Sequence, residues 1–195
     1  LNEVKRLINE RLDNNDPLDR AGLERIFKTA KEKTNKIKED AGLVGTVVHG
    51  LIEDFLKGKE IPKQSDKAVV NCWNLFLDWW NKQEYEVVEL EKKLYCKKYN
   101  YAGTLDLVVK DKKGNLVLID IKTSNFISFD YFLQLNAYKY AYEEETKSKV
   151  SKSFIVKLSK KDAEIQIKEI PLNKKLFNAF IGAKYVMEQM QSVEI

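Results

Sequence analysis

The sequence predicts a mixed α/β domain of the α+β kind, on three observations. Apolar residues fall at helical spacing through residues 1–83, the period drops to two from Tyr85, and helical spacing returns between and after the later strands. With 195 residues and 44% hydrophobic content, a single globular domain with a substantial core is the simplest organisation. Residues 1–83 would form a mainly helical part, and 84–195 a sheet core with flanking helices.

Each element has a local reason. LNEVKRLINERLDNND is charged and helical, without the apolar region of a signal peptide. LDRAGLERIFKTAKEKTNKIKED reads as one helix and AGLVGTVVHGLIEDFLKGKE as a second, ending near Gly58. In KAVVNCWNLFLDWWNKQ, Trp73, Phe76, Leu77 and Trp80 form an apolar stripe, leaving Trp79 as the candidate exposed aromatic. EVVELEKKLYCKKYN, YAGTLDLVVKD and NLVLIDIKTS alternate as three successive antiparallel strands. ISFDYFLQLNAYKYAYEEETK is a helix, KSFIVKLSKKDAEIQIKEIPL a further hairpin, and NKKLFNAFIGAKYVMEQMQ a closing helix. Pro17, Pro62 and Pro171 mark boundaries between elements.

Composition excludes more than it selects. The net charge of +4 suits a polyanionic partner, and equally an ordinary solvated surface. Cys72 and Cys96 are too few for a four-thiolate metal site and do not suggest a secreted disulfide framework. No apolar run approaches the roughly 20 residues that cross a bilayer. The expectation is a cytoplasmic protein with no membrane partner. Beginning on Leu rather than Met, the chain reads as trimmed at its front.

The segment YAGTLDLVVKDKKGNLVLIDIKTS places Asp106 and Asp120 inside the most hydrophobic strands. Side chains two apart share a strand face, so Asp120 and Lys122 point the same way. A three-residue turn, Lys112-Lys113-Gly114 with Gly114 left-handed, pairs Asp111 with Asn115 and sets Asp106 opposite Asp120. A two-residue turn would instead oppose Asp106 to Ile119 and break the alternation. In the first register the two Cβ atoms lie about 4.5–5.5 Å apart. Like charges that close are costly unless one is protonated or a cation lies between them. A hard divalent ion, Mg²⁺ or Mn²⁺, resolves the conflict. A solvent-facing pair at a strand end is the bland alternative.

These residues resemble motifs of the PD-(D/E)XK nuclease superfamily: G-T-x-D on one strand, a hairpin turn, then an apolar strand ending I-D-I-K-T-S. Upstream, GTVVHGLIEDFL is similar to the G-T-x-x-H helix of the RecB-like branch, which includes the AddB nuclease domain and many phage exonucleases. Downstream, QLNAYKYAYEE is similar to its Q-x-x-x-Y helix. The four motifs span Gly45 to Glu144 in the branch's order. The resemblance implies a restriction-endonuclease-like core with a central mixed sheet, flanking helices and a helical N-terminal part.

The resemblance also implies roles. His49, Asp106, Asp120 and the backbone carbonyl of Ile121 would be metal ligands, with Asp106, Asp120 and Lys122 the catalytic group. A lone helical histidine is ordinarily structural, and only the family frame makes His49 a ligand. Glu53, one turn later, would hold the second imidazole nitrogen or make a surface contact. Glu91 would support the site, with Glu89 competing from what reads as the same strand face. Gln134 and Tyr138 would contact the surroundings of Lys122 and the DNA backbone, or form a polar helix edge. Thr123 and Ser124 would bond phosphate oxygens or end the strand. No iron–sulfur cluster is expected, because its four cysteines are lacking, and no helicase signature is present.

The implied function is a Mg²⁺- or Mn²⁺-dependent deoxyribonuclease hydrolysing phosphodiester bonds, foremost an exonuclease in DNA replication, recombination or repair, in a bacterial, archaeal or phage-infected cell. DNA with single-stranded or free ends is the expected partner, beside a helicase, recombinase or other replication protein on another chain. Lys92, Lys93, Lys97, Lys98, Lys110, Lys112 and Lys113 could contact phosphates or form a solvated face. A catalytically silent nucleic-acid-binding module is the alternative. A metal-dependent phosphatase or nucleotide hydrolase of another class is a third reading, which fold alone does not exclude.

Overall fold

The computed structural model describes residues 2–14 and 19–193. Pro17 lies outside them, while Pro62 and Pro171 stand in the connections expected of them. The chain divides into two compact units, Leu1–Val44 and Gly45–Ile195.

In the first unit, α1 (Asn2–Asp13) is joined to the early part of α2 (Arg20–Leu56) by Lys33 Nζ on Glu3 Oε1 at 3.0 Å. Asp19 caps α2, its Oδ1 accepting the Gly22 N–H at 2.6 Å. The two helices expected here are one. α2 continues for 37 residues through Gly42 and Gly45 to its end before Gly58, whose φ is +74°. Each glycine costs a helix roughly 1 kcal/mol relative to alanine but keeps its N–H donor, and proline alone removes it.

In the second unit a five-stranded sheet has order β1-β2-β3-β4-β5: Glu86–Cys96, Tyr101–Lys110, Leu116–Lys122, Val150–Leu158 and Ile165–Glu169. β1–β2, β2–β3 and β4–β5 are antiparallel, whereas β3 and β4 are parallel. A parallel pair requires a crossover, and α4 (Phe129–Thr146) supplies it. Because β3 is central and covered on both faces, Val117 through Ile121 are all buried. Leu118 and Ile155 join Leu135, Tyr138, Ala141 and Tyr142 of α4 in one core cluster. Ile121, Leu107 and Ile52 of α2 line one small cavity beside His49. α5 (Lys174–Ser192), capped by Asn173 Oδ1 on the Leu176 N–H, closes the chain.

α3 (Lys67–Trp80) corrects one expectation. Its buried stripe is Val69, Cys72, Phe76 and Trp79, with Trp73 and Trp80 only half-buried. Both possible stripes share Phe76, so spacing could not choose its core-facing flank; Trp79 packs against Phe76 and Tyr85 at 6.0 and 6.5 Å between centroids. Cys72 and Cys96 are buried free thiols. Among the described residues, no helix is long and apolar enough to cross a membrane.

Candidate active site

The hairpin turn builds the site. Gly114 has φ +78°, Asp111 N–H donates to the Asn115 carbonyl, and the ladder runs Lys110–Leu116, Val109–Val117, Val108–Leu118, Leu107–Ile119. The next positions are Asp106 and Asp120, the register of the three-residue turn. There a side chain takes over from the ladder: Asp106 Oδ2 accepts the Ile121 N–H at 2.7 Å.

The C-terminal part of α2 brings His49 to this point, its Nδ1 3.6 Å from Asp106 Oδ1 and 3.9 Å from Glu91 Oε1. Its helix comes close because Gly45 has no side chain. A Cβ there would lie 3.2 Å from Thr123 Oγ1. Ligand atoms of His49, Glu91 and Asp106 all fall within 4.8 Å of one another. Asp120 stands outside that trio, 1% exposed, with its Oδ2 2.8 Å from Lys122 Nζ. The Lys122 ammonium is the charged partner of this buried oxygen.

On the α4 side, Lys122 Nζ sits 4.8 Å over the Tyr131 ring. Gln134 Nε2 donates to the Tyr138 hydroxyl at 2.8 Å, and the Tyr138 ring lies against Gly103. A Cβ at Gly103 would come within 2.5 Å of Tyr138 Cε1. Thr123 is buried at the strand end, and Ser124 Oγ turns to the Phe126 carbonyl at 2.8 Å.

The electrostatics are strained. Burial pushes the Asp106 carboxyl well above its ordinary range against the opposing Ile121 N–H, and burial together with the charge of Asp106 does the same to Asp120. Burial raises Glu91 too, opposed by His49, and lowers His49, opposed by Glu91. Burial alone would lower Lys122, but Asp120 and Asp106 outweigh it and hold its pKa up. The backbone of Ile121 lies beside His49 and favours its charged form. Burial thus favours protons on the carboxyls of Asp106, Asp120 and Glu91, and ionising all three would set three negative charges against the one ammonium of Lys122. A divalent cation fits both this charge deficit and the hard oxygen and imidazole donors.

Two sequence expectations change. Glu89 and Glu91 do not share a face. The register runs unbroken from Glu89 to Lys92, and it is the left-handed backbone of Glu91, φ +46°, that turns its side chain out of the alternation. Glu91 consequently turns to His49, while Glu89 pairs with Lys92 at 2.9 Å. Lys92 also holds Glu145, and Lys112 holds Glu84, so both lysines are engaged by acids. Glu53 pairs with Lys57, the surface contact of its two readings. Gly103 and Tyr131 were missed. The AGT triplet was a signal for Gly103, since a glycine inside a strand marks close approach; nothing local marked Tyr131.

A family model described as the PD-(D/E)XK nuclease superfamily matches residues 20–194. Among solved structures, the chain is similar to a candidate exonuclease from Eubacterium rectale at 12% identity and TM-score 0.49, covering 72% of this chain and 63% of that one. It is also similar to a repair endonuclease from Pyrococcus abyssi at 20% identity and TM-score 0.34, covering 53% of this chain and 42% of that one. The chain thus spans less than two-thirds of the length of either structure. No curated protein sequence matches it. The chain, matched over nearly its whole length, belongs to the PD-(D/E)XK nuclease superfamily and has its mixed-sheet, restriction-endonuclease-like fold.

Proposed function

We propose that the chain is a divalent-metal-dependent deoxyribonuclease of the RecB-like branch, acting as an exonuclease on DNA with free ends, and that it works as one nuclease domain. The observation that carries this reading is the convergence of Asp106, Asp120 and Lys122 from one hairpin with His49 and Glu91 from two other elements. His49, Glu91 and Asp106 form the first ligand group, with Asp120 and the Ile121 carbonyl completing it. Mg²⁺ or Mn²⁺ bound there supplies positive charge that acidifies a water molecule and offsets charge on a phosphate.

The chain's own groups do the rest. Asp106 is fixed by the Ile121 N–H, so its second oxygen is presented to His49 and Glu91 without side-chain rearrangement. Lys122 leaves its contact with Asp120 to meet the phosphate or the attacking water, where its ammonium stabilises developing negative charge. Gln134 and Tyr138 bound that ammonium's space and orient the DNA backbone. Thr123 and Ser124 lie at the strand end beside it. With only two cysteines, the proposal includes no iron–sulfur cluster.

The test is digestion of end-labelled linear single- and double-stranded DNA beside a covalently closed circle, with Mg²⁺, Mn²⁺ or EDTA, for wild type and Lys122→Ala. Metal-dependent loss of linear DNA alone, absent in the variant, is the expected result. Cutting of the circle makes the enzyme an endonuclease at the same residues. Intact DNA with wild type under every metal, but retained binding, leaves a silent binding module.

A further inference from the structure

Beyond the metal-ligand cluster, the sheet carries a second polar row on the face of Lys122. In the parallel pairing Lys122 stands beside Lys157, and in the next pairing Lys157 stands beside Gln166. One row back, Asp120 stands beside Ile155 and Ile155 beside Lys168. Register partners share a face, so Lys122, Lys157, Gln166 and Lys168 form a polar track from the site to the open edge at β5. Lys157 is only 7% exposed, yet no carboxylate of a described residue lies within ion-pair distance of it. Its described hydrogen bond goes to the Asn125 carbonyl at 3.4 Å. A buried ammonium without a counter-ion is costly. An anion arriving along the track would supply one.

The segment that Lys157 holds is the start of an aromatic surface. Phe126 and Phe129 are 70% and 62% exposed, an unusual state for phenylalanine. Phe129 stacks on Phe132 at 5.7 Å and 30°, and Lys168 Nζ lies 5.4 Å over the Phe132 ring. Tyr131, between them in sequence, carries Lys122 over its ring. Cations for phosphates and exposed ring faces for bases therefore alternate along one path that begins at the candidate site. A duplex hides its base faces within the stack, whereas an unpaired strand offers both features together.

We infer that the surface formed by Phe126, Phe129, Phe132, Lys157 and Lys168 binds a single-stranded nucleic-acid segment adjoining the candidate site, its bases stacked on Phe126 and Phe129. The inference rests on the nuclease reading for the direction of the track. Its evidence is the charge complementarity of the lysines and their continuity with Lys122.

The experiment measures binding of a short fluorescein-labelled single strand and of the matching blunt duplex, in EDTA, over a salt series. Wild type, Phe126→Ala/Phe129→Ala and Lys168→Ala are compared, with Lys157→Gln added if it folds. The double variant is expected to weaken single-strand binding roughly 5- to 100-fold, with a much smaller effect on the duplex. Lys168→Ala is expected to lower the salt slope by about one contact. Unchanged single-strand binding in the double variant overturns the inference and leaves the phenylalanines as a protein-contact patch. Equal losses on both probes overturn it as well, because they remove the single-strand preference. Metal-dependent cleavage by wild type is scored separately. If it is present while the variants bind normally, the nuclease reading stands and this inference falls. If it is absent while the binding loss is seen, the reverse holds.

Discussion

Two aspartates five residues apart on one hairpin meet opposite fates. Asp111, at the turn, accepts hydrogen bonds from the Lys113 and Asn115 backbone N–H groups at 2.8 and 2.9 Å and from Asn115 Nδ2 at 3.0 Å. Those donors hold its carboxyl below the usual range. Asp106 takes a single backbone N–H, faces Asp120 and Glu91, and is pushed above the usual range by burial. One end of the hairpin satisfies its charge and the other leaves it in conflict. The satisfied end sets the register, and the register creates the conflict at the other end. Stability and the candidate chemistry thus come from the same two strands and are separated along their length.

The largest expected effect breaks the strained end. Asp106→Asn and Asp120→Asn should each lower metal-dependent DNA cleavage by about 10³-fold, in line with loss of an electrostatic centre, while single-strand binding is kept. Steady-state cleavage and a fluorescence titration in EDTA check this pair of outcomes. Cleavage near the wild-type rate by either variant would remove that carboxylate from the reaction.

Next is Gly103→Ala. Its methyl group would stand 2.5 Å from the buried Tyr138 ring, so the ring or the strand must shift. Overpacking of this kind costs about 1–3 kcal/mol. Chemical denaturation should show the loss, and Tyr138→Leu in the same chain should recover part of it. A Gly103→Ala protein as stable as wild type would mean that Tyr138 moves freely.

The pH dependence compares the two ends directly. With their folded pKa raised, Asp106 and Asp120 bind more protons in the folded than in the unfolded chain. The metal-free protein therefore loses stability as pH rises from the ordinary carboxylate range through the raised values. Replacing Asp106 by Asn should raise Tm at pH 8 by about 2–4 °C, the equivalent of about 1 kcal/mol at this chain length, and by less at pH 5. Mg²⁺ or Mn²⁺ should raise the wild-type Tm more at pH 8 than at pH 5, because protons compete for the same oxygens. Equal metal shifts at the two pH values would sink this account.

The smallest effect belongs to the satisfied end. Asp111 has a depressed folded pKa, so its contribution is present above the ordinary carboxylate range and is lost as pH falls through the folded value. Asp111→Ala should lower Tm slightly at neutral pH, and the difference should vanish in acid. Thermal melts of the two proteins across that range give the sign.

Local chemistry made much of this molecule legible. The Asp111–Gly114 turn fixes register within a few residues, and alternation then counts back to Asp106 opposite Asp120. The spacing of Asp120 and Lys122 places both on one face, and the Gln134–Tyr138 spacing makes a bonded pair on one helix face. These readings needed only strand and helix periods. The exposed phenylalanines of residues 126–129 gave no such signal, since sequence does not show which apolar residues a loop leaves uncovered.

By itself, then, the sequence determined the mixed α/β class, the hairpin and the set of side chains available to the site. Tertiary structure decided which of them meet. A left-handed Glu91 sent neighbouring acids to opposite partners. The approach of α2 at Gly45 brought His49 to a hairpin more than fifty residues away. The physical reason is range. Periodicity and turn chemistry act over a few bonds, whereas burial, charge pairing and the turn of a strand face depend on neighbours that only the folded chain supplies.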